Sequence, residues 1–158
     1  MQLHAKGAHA AMLGANERAQ IANRLVSGQE SVNAYIQGVC YDAVAYARYL
    51  LGAAISPDIL VQTSGPDWRT RFRFELGVLW IGQPIPAGTA VGFQRQPDRV
   101  VFHAALAVGG RFQIRGINGL LLGAGWTEEC SLVPQLIPGM EGWCPFDHTQ
   151  IRVWLSAL

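Results

Sequence analysis

The chain has 158 residues, half of them apolar and 15% charged, with twelve Lys and Arg against eleven Asp and Glu for a formal net charge of +1. That length suits a single domain, 1–158, burying roughly two-thirds of its unfolded surface, and the apolar share excludes a disordered chain. Balanced charge gives no field to draw in nucleic acid or an anionic membrane, and no apolar run approaches the roughly 20 residues that cross a bilayer, so neither is an expected partner.

The opening MQLHAKGAHAAMLGANERAQ lacks a basic head, apolar middle and cleavage site, because Asn16, Glu17 and Arg18 interrupt it. It predicts no Sec leader and a protein that is cytoplasmic as synthesised, with a specialised secretion system as the route if it leaves the cell. Across residues 8–26, Met12, Leu13, Ala19, Ile21, Ala22 and Leu25 follow helical spacing, predicting a helix that ends near Gly28. A short turn or helix over residues 31–37 leads to Gly38. Cys40 then opens CYDAVAYARYLLGA, where Ala43, Val44, Ala47, Leu50 and Leu51 share one face. This helix should stop near Gly52, with Pro57 beyond it as a terminator.

In residues 55–75, SPD and SGPD mark turns, and RTRFRFEL alternates Arg69, Arg71 and Arg73 with Phe72 and Phe74. That alternation predicts a half-buried strand with a solvated basic face. TAVGFQR, VVFHAALAV and RFQIRGI follow as consecutive antiparallel strands separated by Pro-Asp and Gly-Gly. A Gly-rich connection, NGLLLGAGW, and a Pro-punctuated stretch with Cys130 and Cys144 lead to IRVWLSAL, a predicted last strand. The expected class is α+β, with N-terminal helices packed on a small antiparallel sheet.

Three cysteines are an odd set, so at least one is unpaired within the chain, and Cys40 is the candidate. A thiol in the first turn of a helix meets unpaired N–H groups and the positive dipole end, which should lower its pKa. The same amides, of Cys40 and Tyr41, suit an oxyanion. His103, early in a predicted strand and sharing a face with Ala105 and Ala107, is the candidate base. Asn118, returning past the Gly109-Gly110 hairpin, is the first candidate to orient the imidazole, with Gln113 and Arg115 as substitutes. Tyr35 and Trp126 are candidate walls of a substrate groove.

Cys144, Asp147 and His148 form a rival cluster without helix-end activation. Cys130 and Cys144 are either bridged or reduced. No Cys-x-x-Cys pair suggests zinc, and NGLLLGAG lacks a nucleotide-loop pattern, so no metal or cofactor is expected.

The order of the Cys40 helix, Gly88-Thr89-Ala90-Val91-Gly92-Phe93 and His103-Ala104-Ala105-Leu106-Ala107-Val108-Gly109 resembles the NlpC-type cell-wall peptidases and their CHAP amidase relatives, small members of the papain-like superfamily. Tyr35 precedes the Cys as an aromatic often does there. The likeness spans residues 35–118. Val39-Cys40-Tyr41-Asp42 stands where the family usually has Asp-Cys-Ser-Gly, Thr89 replaces an acidic residue, and no second His follows the base.

The resemblance implies a papain-like fold and a cysteine hydrolase, a peptidase or amidase acting on peptidoglycan peptide amides. It fits an effector or toxin with a cognate immunity or inhibitor protein as partner. Two other classes fit the same residues: an effector that deamidates glutamine in, or cleaves, a host protein, and a non-catalytic papain-like binding module.

Overall fold

The N-terminal half is helical because its apolar residues recur at three- and four-residue spacing. The computed structural model describes residues 12–158. The leader reading of residues 1–11 and the start of the predicted 8–26 helix lie outside the described residues. Helix α1, Ala15–Ser27, buries Ile21, Ala22 and Leu25, and ends on Gly28 in the left-handed conformation. A 3-10 turn at Val32–Ala34 precedes α2, Cys40–Leu50, which begins on the cysteine and ends just before Gly52, as predicted. Pro57 does more than terminate: it is the first residue of α3, Pro57–Gln62, whose N-cap Ser56 accepts from Ile59 N.

The predicted strand at RTRFRFEL is not formed. Helix α4, Trp68–Phe72, and a 3-10 turn, Phe74–Leu76, occupy it, joined through Arg73 at φ 49. The reason lies in Trp68, four residues before Phe72. Helical spacing puts both rings on one buried face, 5.5 Å apart, and the left-handed turn brings Phe74 within 5.3 Å of Phe72. Three aromatic rings are buried this way, whereas a strand would have put Trp68, Phe72 and Phe74 along one edge-to-edge row.

Seven strands form one antiparallel sheet among the described residues: β1 (Val78–Leu79), β2 (Ala90–Arg95), β3 (Val101–Gly109), β4 (Gln113–Arg115), β5 (Cys130–Ser131), β6 (Cys144–Phe146) and β7 (Thr149–Leu155). Their order is β1-β7-β2-β3-β4-β5, and β6 pairs with the other end of β7 from β1. The predicted run of three antiparallel strands and the last strand are all present, in an α+β fold.

Register separates the sheet into two faces. Gly92 pairs with Ala104 and Ala90 with Leu106, and these residues face the helices. A Cβ at Gly92 would overlap the Phe74 ring, so glycine lets that aromatic cluster sit directly on the strand. Phe93 pairs with His103 and Val91 with Ala105 on the opposite face, which is covered by Trp80, Leu122, Leu132 and Leu136. No described helix is long and apolar enough to cross a membrane.

Arg115 at the end of β4 joins the sheet to α1. Its guanidinium donates to the carbonyls of Val26 (2.8 Å), Ser27 (3.0 Å) and Trp126 (3.1 Å), and the side chain is almost fully buried. Replacing it strands several carbonyls at once. Arg115→Leu is expected to lower unfolding free energy by about 3 kcal/mol in urea titrations; a loss within error of zero would show that water replaces these bonds freely.

Candidate active site

Helix α2 presents Cys40 at its first position, where the amides of the first turn have no helical acceptor. Asp42, two residues later, accepts from Val39 N at 2.9 Å and from Gly65 N at 3.2 Å, fixing the loops on both sides of the helix start. Tyr41 OH reaches across to donate to Val101 O at 2.9 Å, pinning α2 to the first residue of β3. These bonds set the thiol against β3. The backbone N–H groups of Ala104 and Tyr41 face the sulfur.

The sulfur therefore meets the residue next to His103 in β3. His103 itself is buried, stacked on Phe93 with ring centroids 5.4 Å apart, and its Nε2 lies 2.8 Å from Leu122 O. A carbonyl only accepts, so Nε2 carries the proton and the neutral ring keeps a bare lone pair on Nδ1. Gly119 allows this approach, since a Cβ there would overlap the imidazole. Cys40 lies on the helix side of β3 with Ala104, whereas His103 points to the opposite face with Phe93, so the fold does not bring the predicted pair together, and among the described residues no hydrogen bond joins Cys40 Sγ to His103.

The electrostatics correct one expectation. Burial, the largest effect, pushes the Cys40 thiol above its ordinary value; the N–H groups of Ala104 and Tyr41 oppose the rise and the Asp42 charge adds to it. The helix end does not prevail, because it already holds a carboxylate. Burial likewise holds His103 below its ordinary value, opposed by its bond to Leu122 O. Both shifts favour the neutral form, of the thiol on the helix side of β3 and of the imidazole on its other face.

The other candidates are placed as follows. Asn118 is exposed at φ 61, and its backbone N donates to Ala124 O; the carbonyl of Leu122, not the Asn118 amide, holds the ring. Gln113 is exposed near the Gly109-Gly110 turn, and a Cβ on Gly110 would touch its side chain, at the far end of β3 from His103. Arg115 is committed to carbonyls of α1 and of the Trp126 loop. Trp126 cannot wall a groove: it is 1% exposed and donates to Leu25 O at 2.8 Å, filling the helix-side core. Tyr35 is half-buried, stacked on Tyr46, and accepts from Arg24 Nη2.

Cys130 and Cys144 are both free. Cys144 points into the core beneath the sheet, where burial pushes its thiol up to about 11, while Asp147 and His148 sit exposed at the tip of the β6–β7 hairpin. The rival cluster is not assembled. Sequence reasoning missed the Leu122 carbonyl and the Ala104 amide, which carry no side-chain signal. It also missed the role of Asp42, for which the acid three residues past the N-cap Val39 was a readable sign.

The chain matches no known protein-family model and no curated protein.

Because the native His103 binds its proton below the unfolded ring's ordinary 6.5, the unfolded chain takes up that proton first on acidification. The neutral ring's contribution is complete above that value and is lost as pH falls below it. Urea midpoints at pH 7.5 and 5.5 should fall further for the native chain than for His103→Gln; equal falls in both would mean that the ring is protonated as readily in the fold as outside it.

Proposed function

We propose that the chain is a cysteine-dependent amide hydrolase of papain-like architecture, with Cys40 as nucleophile and His103, which rests on the other face of β3, as a general base that reaches the thiol only when the β3 edge shifts. One observation carries this reading: the helix-start thiol lies against the backbone amides of Ala104 and Tyr41, which oppose the rise that burial imposes on it. With the β3 edge shifted so that the ring reaches the helix side, His103 Nδ1 takes the thiol proton as sulfur attacks the amide carbonyl. The Cys40 and Tyr41 amides receive the oxyanion. Collapse breaks the C–N bond as the imidazolium returns its proton to the leaving amine, leaving a thioester. Water, deprotonated by His103, cleaves the thioester and frees the carboxylic acid and the thiol.

By resemblance the substrate is a peptide amide of bacterial peptidoglycan. Stem-peptide fragments incubated with the chain should show a new amine and carboxylate by mass spectrometry. Cys40→Ala should abolish this, and His103→Ala should slow it by about 10²–10⁴-fold.

The raised thiol pKa favours one second reading, a papain-like module that binds without cleaving. Iodoacetamide alkylation of Cys40, followed across pH by mass spectrometry, separates the two. In His103→Ala the rate should rise only above the ordinary thiol range, as burial dictates, whereas the native chain should also react near neutral pH through proton transfer to the imidazole. Identical profiles in both proteins would remove His103 from the chemistry and leave the binding module.

A further inference from the structure

A cleft of about 790 Å³ opens beside the C-terminal end of α2, lined by Arg48, Arg71 and Arg73 together with Asp67, Ile55 and Ile59. It is separate from the cysteine, since Arg48 lies eight residues along the helix from Cys40, about 12 Å by helical rise. Three guanidinium groups share the cleft with the Asp67 carboxylate and with Leu158, the last residue of the sequence. None of the three arginines forms an ion pair among the described residues, where the pairs are Arg24–Glu30, Arg95–Asp98 and Arg152–Glu141.

Arg48 is the informative member. Its Nε donates to Gly88 O at 3.1 Å, its side chain lines the cleft, and its Nη groups form no hydrogen bond among the described residues. Burial disfavours its charged form, and no neighbouring carboxylate offsets that. Arg71 is held in the same way, its Nε donating to Thr63 Oγ1 at 2.9 Å. Two forks anchored through Nε and open at Nη are the arrangement that grips an oxyanion bidentately. A partly buried cation with no counter-ion is costly, and an anionic ligand relieves that cost. Ile55 and Ile59, both half-buried, give the same cleft an apolar wall, and the volume is that of a small-molecule site rather than of a macromolecular groove.

We infer that the Arg48–Arg71–Arg73 cleft binds a small organic oxyanion, a carboxylate or phosphate monoester carried on an apolar body. The cleft stands independently of the hydrolase reading and uses none of its residues.

Calorimetric titration of the chain with hexanoate, hexyl phosphate, neutral hexanamide and inorganic phosphate tests this. Saturable binding of hexanoate or hexyl phosphate, weakening as NaCl rises, with none for hexanamide, is the expected result. Which of the two binds more tightly assigns the head group. Arg71→Gln, an exposed position that leaves the fold intact by circular dichroism, should weaken binding by roughly tenfold or more, and Arg48→Gln should do the same. Failure of both anions to bind, or unchanged affinity in Arg71→Gln, would overturn the site. Inorganic phosphate binding as tightly as hexyl phosphate would overturn the apolar part of the ligand.

Discussion

The buried carboxylate of Asp42 is the constraint from which the rest of the helical layer follows. It is 3% exposed and sits at the start of α2, where the helix dipole favours a negative charge. By accepting from Val39 N and Gly65 N it joins the loop before the helix to the segment that leads into α4. Charge-assisted bonds of this kind are about twice as strong as neutral ones. The thiol two residues earlier is therefore placed by a cap rather than by its own contacts. The same charge raises the Cys40 thiol, so what positions the sulfur also keeps it protonated at rest.

His103 is held by the opposite strategy, with backbone rather than a charged side chain. Leu122 is completely buried beneath the sheet, and its packing there fixes the carbonyl that receives Nε2–H. The loop reaches that position through left-handed residues at Asn118 and Leu120, and through Gly119, where a Cβ would overlap the ring. Such an acceptor holds the tautomer without adding charge. That suits an imidazole whose burial already favours the neutral form.

Much of the fold was legible because it rests on local periodicity. The Cys40 helix, the three antiparallel strands around His103 and the last strand follow from spacing that the chain repeats over whole elements. The segment after Pro57 was not legible, because Arg-Phe alternation has period two while the burial of Trp68 and Phe72 has period four, and tertiary packing decided between them. At the candidate site, Cys40 was legible as a helix start, but the alternation that puts His103 on one face with Ala105 and Ala107 did not reveal that this face is turned away from Cys40. Asn118 was chosen for its side chain, whereas the group that holds the ring is a main-chain carbonyl four residues on, which a sequence does not distinguish from any other. Trp126 illustrates the same gap: an indole suits a groove or a core equally well, and only its bond to Leu25 O decides.

Besides the apolar packing of its buried face, helix α2 is fastened by charged or hydroxyl side chains bonded to backbone. Asp42 takes amides at one end, Arg48 gives to Gly88 O at the other, and Tyr41 gives to Val101 O between them. No ion pair among the described residues involves this helix, and each of the three present has a partner at least 40% exposed. Salt screens exposed pairs strongly but leaves buried charge-to-dipole bonds nearly intact. The placement of the Cys40 thiol should thus be indifferent to ionic strength. The arginine cleft at the far end of the same helix, whose guanidinium groups form no ion pair among the described residues, is where salt should act. One helix carries both properties because its two ends solve different problems: the first turn satisfies its free amides with a carboxylate, and the last turn carries a cation that complements the dipole and remains open to an anion.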